Sequence, residues 1–399
     1  MKKRLAIVVS HPIQHFCPQY ASLAKHPALQ VKVFFASALG MKKYIDPAFN
    51  REISWSNLQL DQFEHEFLNG ELVLPANSEL DCVLLPESLD KFEPDIVIVY
   101  GYFQKFSRRA KDWAIAKKVK LANISDSERK QKRKLWKELA KYFYVRYYFS
   151  QIDYFLTVGD ANEAYYRYYG VPVRKLIRMR FPIDVRFYEM AFAKKAALAN
   201  EVKSQYGLHA GHKVLSVVGK MLFSKRQGDI IDAMILLEKR NVFLDLLMVG
   251  SGEMETAWKI KAKLLEKSRV FFTGFISPDL LPSYYAASDI YVHPAAADAH
   301  SLAISEALYM GCPVIVSDLC GSYGPTDDVQ EGRSGFVFQC GNIGDLCEKI
   351  EWMLRDDQKR LDMGEYGHQL GVTFQRGAHG EFADELIARL EHSTSQKHT

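Results

Sequence analysis

Residues 294–318 constrain the fold of this chain more than any other stretch. A short apolar run at 290–292 precedes them and is typical of a buried strand, and a second run at 313–317 predicts another. Between these runs, residues 303–310 have a helical pattern that ends at Gly311. A strand, a helix and a strand in this order predict an α/β protein built on a parallel sheet.

Two acids in this stretch are candidates for contacts with a sugar. Asp298 lies in the loop before the helix, and Glu306 follows eight residues later inside it. The first N–H groups of a helix are unpaired and its dipole points the same way, so a helix N-terminus binds anions. We expect a carboxylate beside such a site to hold sugar hydroxyls next to a bound phosphate. The alternative is a loop acid and a helix acid that water simply solvates.

This stretch resembles the Glu-x7-Glu signature of retaining glycosyltransferases of family 4, with Asp298 in place of the first Glu and Glu306 as the second. The resemblance implies the GT-B fold, in which two Rossmann-like, doubly wound parallel-sheet domains face each other across a cleft. We place the acceptor-side domain at 1–188 and the nucleotide-sugar domain at 189–375, including a linker helix at 191–202. Residues 376–399 are expected to form a helix that packs back on the first domain, with a frayed tail.

Composition fits this organisation. The chain has 399 residues, of which 48% are hydrophobic and 25% charged, as two globular domains require. Its six cysteines show no CxxC pairing, which favours a reducing cytosol. The apolar run at 5–9 is too short for a signal peptide and predicts a first core strand, and no stretch has the length of a membrane span. We therefore expect a cytoplasmic protein.

In the first domain, the loops that follow predicted strands carry the candidate acceptor or cleft residues. Parallel sheets bind ligands at the carboxyl ends of their strands, and no GxGxxG fingerprint is present. The first loop, His-Pro-Ile-Gln from His11 to Gln14, resembles that of a bacterial subgroup of family 4. His11 and His15 are candidates to contact an acceptor or the donor phosphates, although His11 also suits a plain turn and His15 a helix cap. The predicted acceptor or cleft residues are His11, Gln14, Tyr100, Asp126 and Glu128.

The pair Asp126 and Glu128 is the nearest match to a DxD metal motif, and it is a weak one. GT-B enzymes generally work without a metal, so the resemblance implies neither a metal nor another cofactor. Further along, Asp160 is expected to cap the N-terminus of a helix.

In the second domain, two lysines flank a loop between a predicted strand and a helix. Lys220 and Lys225 resemble the family's Gly-Arg…Lys motif, with Lys220 replacing the arginine, and both can reach a pyrophosphate. With Asp298 and Glu306 they form the predicted catalytic set. Glycine turns after strands let a nucleotide approach the backbone. The predicted donor-binding residues are Gly219, Gly250, Gly252, Gly274, Phe275, His300, Ser301 and Leu302.

Residues 129–149 predict a helix that is basic at its start and aromatic at its end. Such a helix can lie on an anionic membrane, which would suit a lipid-linked acceptor and place the protein at the inner face of the membrane. The alternative is a solvated basic face opposite aromatic side chains that face the core.

The resemblance implies a retaining, metal-independent hexosyltransferase that moves a sugar from a nucleotide-sugar to a glycan or lipid-linked acceptor, in bacterial surface polysaccharide or glycoconjugate synthesis. The leaving phosphate would take the acceptor's proton, so no protein nucleophile is needed. Two alternatives remain: a sugar-nucleotide epimerase of the same fold, and a non-catalytic partner that only binds sugar nucleotides. A nucleic-acid partner is not expected, since no recognised binding module is present.

Overall fold

A computed structural model of the chain describes residues 2–41, 44–46, 51–53, 58–131 and 135–395. The predicted frayed tail at 394–399 lies mostly outside these residues, as do residues 132–134 of the predicted basic helix.

The first domain is a parallel sheet with helices on both faces. Its strands are β1 (Lys3–Val9), β2 (Leu29–Phe35), β5 (Glu64–Phe67), β6 (Ile96–Tyr100), β7 (Lys120–Ser125), β8 (Tyr154–Thr157) and β9 (Leu176–Arg178); a separate short hairpin consists of β3 (Tyr44–Asp46) and β4 (Arg51–Ile53). Its helices are α1 (Cys17–Ala24), α2 (Leu85–Phe92), α3 (Lys105–Lys117), α4 (Leu135–Ser150) and α5 (Asp160–Tyr168). Within the described ranges the sheet has seven strands in the order β5-β2-β1-β6-β7-β8-β9.

The chain then passes through α6 (Val185–Phe192) and α7 (Lys195–Gln205) into the second domain. The single linker helix predicted at 191–202 is wrong, because two helices with a break at 193–194 occupy this region. The strands of the second domain are β10 (Lys213–Val218), β11 (Leu244–Val249), β12 (Arg269–Gly274), β13 (Ile290–His293), β14 (Val314–Ser317) and β15 (Gly335–Phe338). Its helices are α8 (Gly228–Glu238), α9 (Glu255–Ala262), α10 (Leu281–Ala286), α11 (Leu302–Tyr309), α12 (Ile343–Leu354) and α13 (Asp357–Arg376).

The second sheet, as far as the chain is described, has six parallel strands in the order β12-β11-β10-β13-β14-β15. Both faces of each sheet are covered, because the central strands are continuous apolar runs that must be buried on two sides. The expected α/β class with two doubly wound, Rossmann-like domains is thus confirmed.

The last helix, α14 (Phe382–Ser395), returns to the first domain. Its apolar residues Phe382, Leu386 and Leu390 join the core that covers β1 and β2. Just before α14, the carbonyl of Ala378 accepts a hydrogen bond of 2.7 Å from the Gln19 side chain. This return ties the chain end to α1.

Asp160 does not cap α5, so the predicted N-cap is wrong. Gly159 holds the cap position in an extended conformation, and Asp160 is the first helical residue. Its carboxylate instead accepts hydrogen bonds from the backbone N–H and the hydroxyl of Thr326, in the second domain. The acid at the start of α5 therefore joins the two domains.

Candidate functional site

A cavity of about 650 Å³ lies between the two domains, where the carboxyl ends of their strands face each other. Such ends are where open α/β sheets bind ligands. The first domain contributes Tyr100 and Asp126 to the wall, and the second contributes His293 at the end of β13. Of the residues singled out in the sequence, the wall contains His15, Tyr100, Asp126, Gly219, Lys220, Lys225, Asp298, His300, Ser301 and Leu302.

Asp298 is the centre of a charged cluster in this wall. Its Oδ2 atom accepts a hydrogen bond of 2.6 Å from Lys225 Nζ and one of 2.8 Å from His293 Nε2. The Tyr291 hydroxyl lies 3.2 Å from the other ring nitrogen of His293. Burial alone would raise the pKa of Asp298, but His293 and Lys225 hold it well below its usual range. Asp298 is therefore an ionised carboxylate that is held in a fixed position.

The N-terminus of α11 opens into the same cavity. Leu302 and Ala303, its first two residues, line the wall. Their N–H groups precede the first helical hydrogen bond and are available to an anion. The N–H group of Ser301 is already used, since it donates to the Ser322 hydroxyl at 2.8 Å.

Glu306 lies in a second cavity of about 360 Å³, which shares His15 and Leu302 with the first and therefore adjoins it. Burial raises the pKa of Glu306 to about 7, although the Tyr285 hydroxyl donates a hydrogen bond of 2.8 Å that favours the charged form. The buried hydroxyl of Tyr188 lies beside Glu306 in the same cavity wall and also favours its charged form. Glu306 and Tyr188 thus offer an acceptor and a donor to a polar ligand.

The first domain places one imidazole and one carboxyl opposite these groups. Burial lowers the pKa of His15 to about 4, so this ring is neutral at physiological pH. Asp126 is exposed on the cleft wall, but partial loss of water around its carboxyl and the charge of Asp298 raise its pKa. The ring of Phe181 lies 5.9 Å from that of His15 and 5.4 Å from that of His300, and it separates the two imidazoles.

His300 belongs to a buried ionic network with Asp327, Asp328 and Arg180. His300 Nε2 lies 3.4 Å from Asp328, and Arg180 lies 3.7 Å from Asp327 and 3.9 Å from Asp328. Burial alone would lower the pKa of His300, but the two carboxylates raise it above its usual value. The other ring nitrogen, Nδ1, is buried without a hydrogen-bond partner in the described structure.

His300, Asp327 and Asp328 bring possible metal-ligand atoms within 4.8 Å of one another. A guanidinium group already lies beside both carboxylates, and Arg180 also donates to the Thr326 carbonyl. We therefore interpret the group as an ion-pair network that joins the domains, in which Arg180 takes the place that a cation would need.

Several predicted residues lie outside both cavities. His11 pairs with the Ser10 hydroxyl at 2.8 Å, and Glu128 accepts from the backbone N–H of Lys130. Gly250 and Gly252 serve close backbone packing, since an added Cβ would lie 2.0 Å from the Gly219 carbonyl oxygen in one case and 2.5 Å from that of Met221 in the other. The remaining residues outside the cavities are Gly274 and Phe275. Gln14 lines the cavity of Glu306.

Sequence reasoning missed His293, Tyr285 and Tyr188. His293 had a signal, because it is the last residue of a buried strand whose carboxyl end faces the cleft. The two tyrosines had no such signal in the sequence, because their contact with Glu306 depends on how α6 and α10 pack on α11.

Comparison with known proteins agrees with this arrangement. Residues 199–370 match the family model described as Glycosyl transferases group 1. The chain is 31% identical over 102 residues to sulfoquinovosyl transferase of Arabidopsis thaliana, covering 26% of this chain and 20% of that protein. It is 26% identical over 178 residues to alpha-monoglucosyldiacylglycerol synthase of Streptococcus pneumoniae, covering 44% of this chain and 40% of that protein. The matches thus span less than half the length of these two relatives.

The solved structure of Anabaena HepE in complex with UDP and glucose superposes with a TM-score of 0.65 at 15% identity, over 96% of this chain and 99% of that one. At this identity the likeness establishes the fold. The chain has the GT-B fold, and over residues 199–370 it is homologous to the group 1 glycosyltransferases.

Proposed function

We propose that the protein is a retaining, metal-independent glycosyltransferase that moves a sugar from a nucleotide-sugar donor to a glycan or lipid-linked acceptor in the cytoplasm. The observation that carries this proposal is the cluster of Lys225, His293 and Asp298 beside the N-terminus of α11. A lysine, an imidazole and an ionised carboxylate meet there within one cavity, as binding a phosphate and its attached sugar together requires.

Departure of the nucleoside diphosphate builds negative charge on the leaving phosphates. Within the described contacts, Lys225 Nζ gives one of its three N–H donors to Asp298, and Leu302 and Ala303 line the same cavity with backbone N–H groups that precede the helical hydrogen bonds. His300 adds its unpartnered Nδ1 atom, and its raised pKa favours the charged, donating form. Fixed donors of this kind stabilise developing charge without reorganisation, which is the role a metal would otherwise have.

Glu306 is suited to hold the ribose of the donor. Its cavity adjoins that of Asp298 through His15 and Leu302, so an extended nucleotide-sugar can occupy both. A carboxylate accepts hydrogen bonds from two neighbouring hydroxyls, and Tyr188 offers a donor beside it. Gln14 lines the same cavity from the first domain.

Retention of configuration follows if the acceptor attacks from the face that the phosphate leaves. The leaving phosphate then takes the acceptor's proton and no protein base is needed. Asp298 is unsuited to be that base, because a carboxylate whose pKa is held well below its usual range accepts protons poorly. We assign it to a hydroxyl of the donor sugar, and we assign Tyr100 and Asp126 in the opposite wall to the acceptor.

The names of two relatives support the acceptor class. One is an alpha-monoglucosyldiacylglycerol synthase of Streptococcus pneumoniae, and another is a capsular polysaccharide biosynthesis glycosyltransferase of Staphylococcus aureus. We place this protein in the same kind of process, the synthesis of bacterial surface polysaccharides or glycoconjugates.

The test is nucleotide release from a panel of UDP-, GDP-, ADP- and dTDP-sugars by the purified protein, without acceptor and with membrane extract. Slow release from one donor class, accelerated by extract, is expected. Lys225→Met should lower the rate about a hundredfold. Lys239→Met, which removes an exposed lysine of the same domain, should leave the rate unchanged.

Other outcomes point to the alternatives. Tight binding of one sugar nucleotide without release under any condition would favour a binding partner without turnover. Conversion of the donor to an epimer without an acceptor would favour an epimerase. Neither binding nor release across the panel would refute a sugar-nucleotide site.

A further inference from the structure

Helix α4 presents a row of large apolar side chains to solvent. Trp136 is 65% exposed, Leu139 52%, Phe143 68% and Tyr147 70%. Their spacing of three or four residues places them on one side of the helix. The exposed Tyr144 widens this row. We call these five residues the aromatic face.

The aromatic face is not needed to attach α4 to the protein. The opposite side of the helix is already apolar, and Val145, Tyr148 and Phe149 from it are buried in the core of the first domain. Burial of one side accounts for the docking of a surface helix. A contiguous exposed apolar surface beyond that marks an interaction site.

The charges on this side of α4 are positive. Lys137 and Arg146 are exposed beside the aromatic residues, and neither forms an ion pair with an acid in the described part of the chain. None of the exposed residues of α4 whose side chains are described is acidic, and Glu138 is half-buried. The partner that this charge fits is therefore anionic.

The predicted helix at 129–149 corresponds to α4, which begins only at Leu135. The early cations Arg129 and Lys130 precede this helix. Arg129 is exposed and lies over the ring of Tyr168 at 3.2 Å, and Lys130 donates to the Asp318 carbonyl at 2.9 Å. The aromatic residues do not all face the core, because the aromatic face points to solvent.

The segment before α4 contacts the second domain. Just before α4, the Gln131 side chain donates a hydrogen bond of 2.7 Å to the carbonyl of Ala296, two residues from Asp298. The segment that precedes α4 in the sequence therefore contacts the loop that carries Asp298.

We propose that the aromatic face docks on a bilayer that contains anionic lipids, with Trp136 and the tyrosines at headgroup level and Lys137 and Arg146 near the lipid phosphates. Trp and Tyr are enriched at this depth of membranes, and Lys and Arg reach from it to the headgroups. No described helix has the length and apolarity to cross a membrane, so the contact is peripheral. Together with the proposed function, this docking places the acceptor at the membrane surface. The docking itself requires neither a sugar nucleotide nor turnover.

The test is co-sedimentation with vesicles of phosphatidylcholine that contain about 30% phosphatidylglycerol, compared with vesicles of phosphatidylcholine alone. We expect binding to the anionic vesicles that weakens with salt. The triple variant Trp136→Ser, Phe143→Ser, Tyr147→Ser should lower the partition coefficient at least about tenfold. The matched control is Ile260→Ser, Leu264→Ser, which changes exposed apolar residues of the second domain and should bind like the wild type.

A second pair of variants separates charge and insertion from misfolding. Lys137→Glu, Arg146→Glu should reduce binding about tenfold or more while circular dichroism and the melting temperature stay as in the wild type. Anionic vesicles should shift the tryptophan emission of the wild type to the blue. Trp136→Phe should still bind but lose most of this shift, because Trp136 is the inserting indole.

Two results would overturn the proposal. One is wild-type protein that stays in solution with anionic vesicles at low salt. The other is a triple variant that binds vesicles normally but changes from dimer to monomer in size-exclusion chromatography, since the aromatic face would then be an interface between copies of the chain. Because vesicle binding is measured without sugar nucleotide, either result is independent of the outcome of the donor panel.

Discussion

Replacing Glu306 with glutamine should stabilise the protein at pH 8 and, at the same time, weaken donor binding. The two side chains have nearly the same shape, and glutamine still offers an oxygen to the Tyr285 hydroxyl, which donates to Glu306 at 2.8 Å. What changes is the charge. The variant therefore isolates the cost of keeping a buried carboxylate ionised.

The size of the effect follows from the pKa of Glu306, which burial raises from 4.5 to about 7. Each tenfold change in proton affinity corresponds to about 1.4 kcal/mol, so ionising Glu306 in the folded protein costs about 3 kcal/mol relative to the unfolded chain. For a domain of this size, that corresponds to roughly 6–12 °C in melting temperature.

The dependence on pH has a definite sign. The folded pKa lies above the unfolded one, so the native state binds the proton more tightly and wild-type stability falls as pH rises from about 4.5 to about 7. Glutamine does not titrate. The advantage of the variant should be about 3 kcal/mol at pH 8 and shrink to about 1 kcal/mol at pH 5.

The assay is thermal unfolding of wild type and Glu306→Gln at pH 5 and pH 8, with calorimetry of nucleotide binding at pH 8. Glu348→Gln, the same change at an exposed position of α12, is the control and should shift neither quantity. Loss of a charged acceptor should weaken nucleotide binding about ten- to a hundredfold. If the variant is no more stable than the wild type at pH 8, the argument that the ionised Glu306 carboxylate destabilises the folded protein is refuted.

Two further substitutions test contacts that hold the cleft together. Arg180→Met leaves the buried Asp327–Asp328 pair without its guanidinium and should cost about 3–5 kcal/mol in urea unfolding, whereas a loss below about 1 kcal/mol would mean that the ion pairs are not coupled to folding. Gly250→Ala places a Cβ 2.0 Å from a backbone carbonyl oxygen at φ +132°, while Gly207→Ala, at φ +56°, meets no atom within 4 Å. Both substitutions should lower the melting temperature, and Gly250→Ala should lower it more because of the clash. Equal losses for the two variants would contradict a role of Gly250 in backbone packing.

Much of the fold was predictable because buried parallel strands are continuous apolar runs. The runs at 5–9 and 290–292 correspond to β1 and β13, and the rule that ligands bind at strand carboxyl ends located the cleft. The unit around Asp298 was readable for the same reason, since its strand, loop and helix are contiguous in sequence.

Contacts between distant parts of the chain needed the tertiary structure. Asp298 meets Lys225 across 73 residues, and Glu306 meets Tyr285 only because α10 packs beside α11. Asp160 was expected to cap its own helix, but its carboxylate accepts a hydrogen bond from the backbone N–H of Thr326 in the second domain. Helix α4 is the clearest case, because both of its sides are aromatic. Hydrophobic periodicity shows on which side of a helix each residue lies. Where two sides are apolar, only tertiary packing decides which of them is buried.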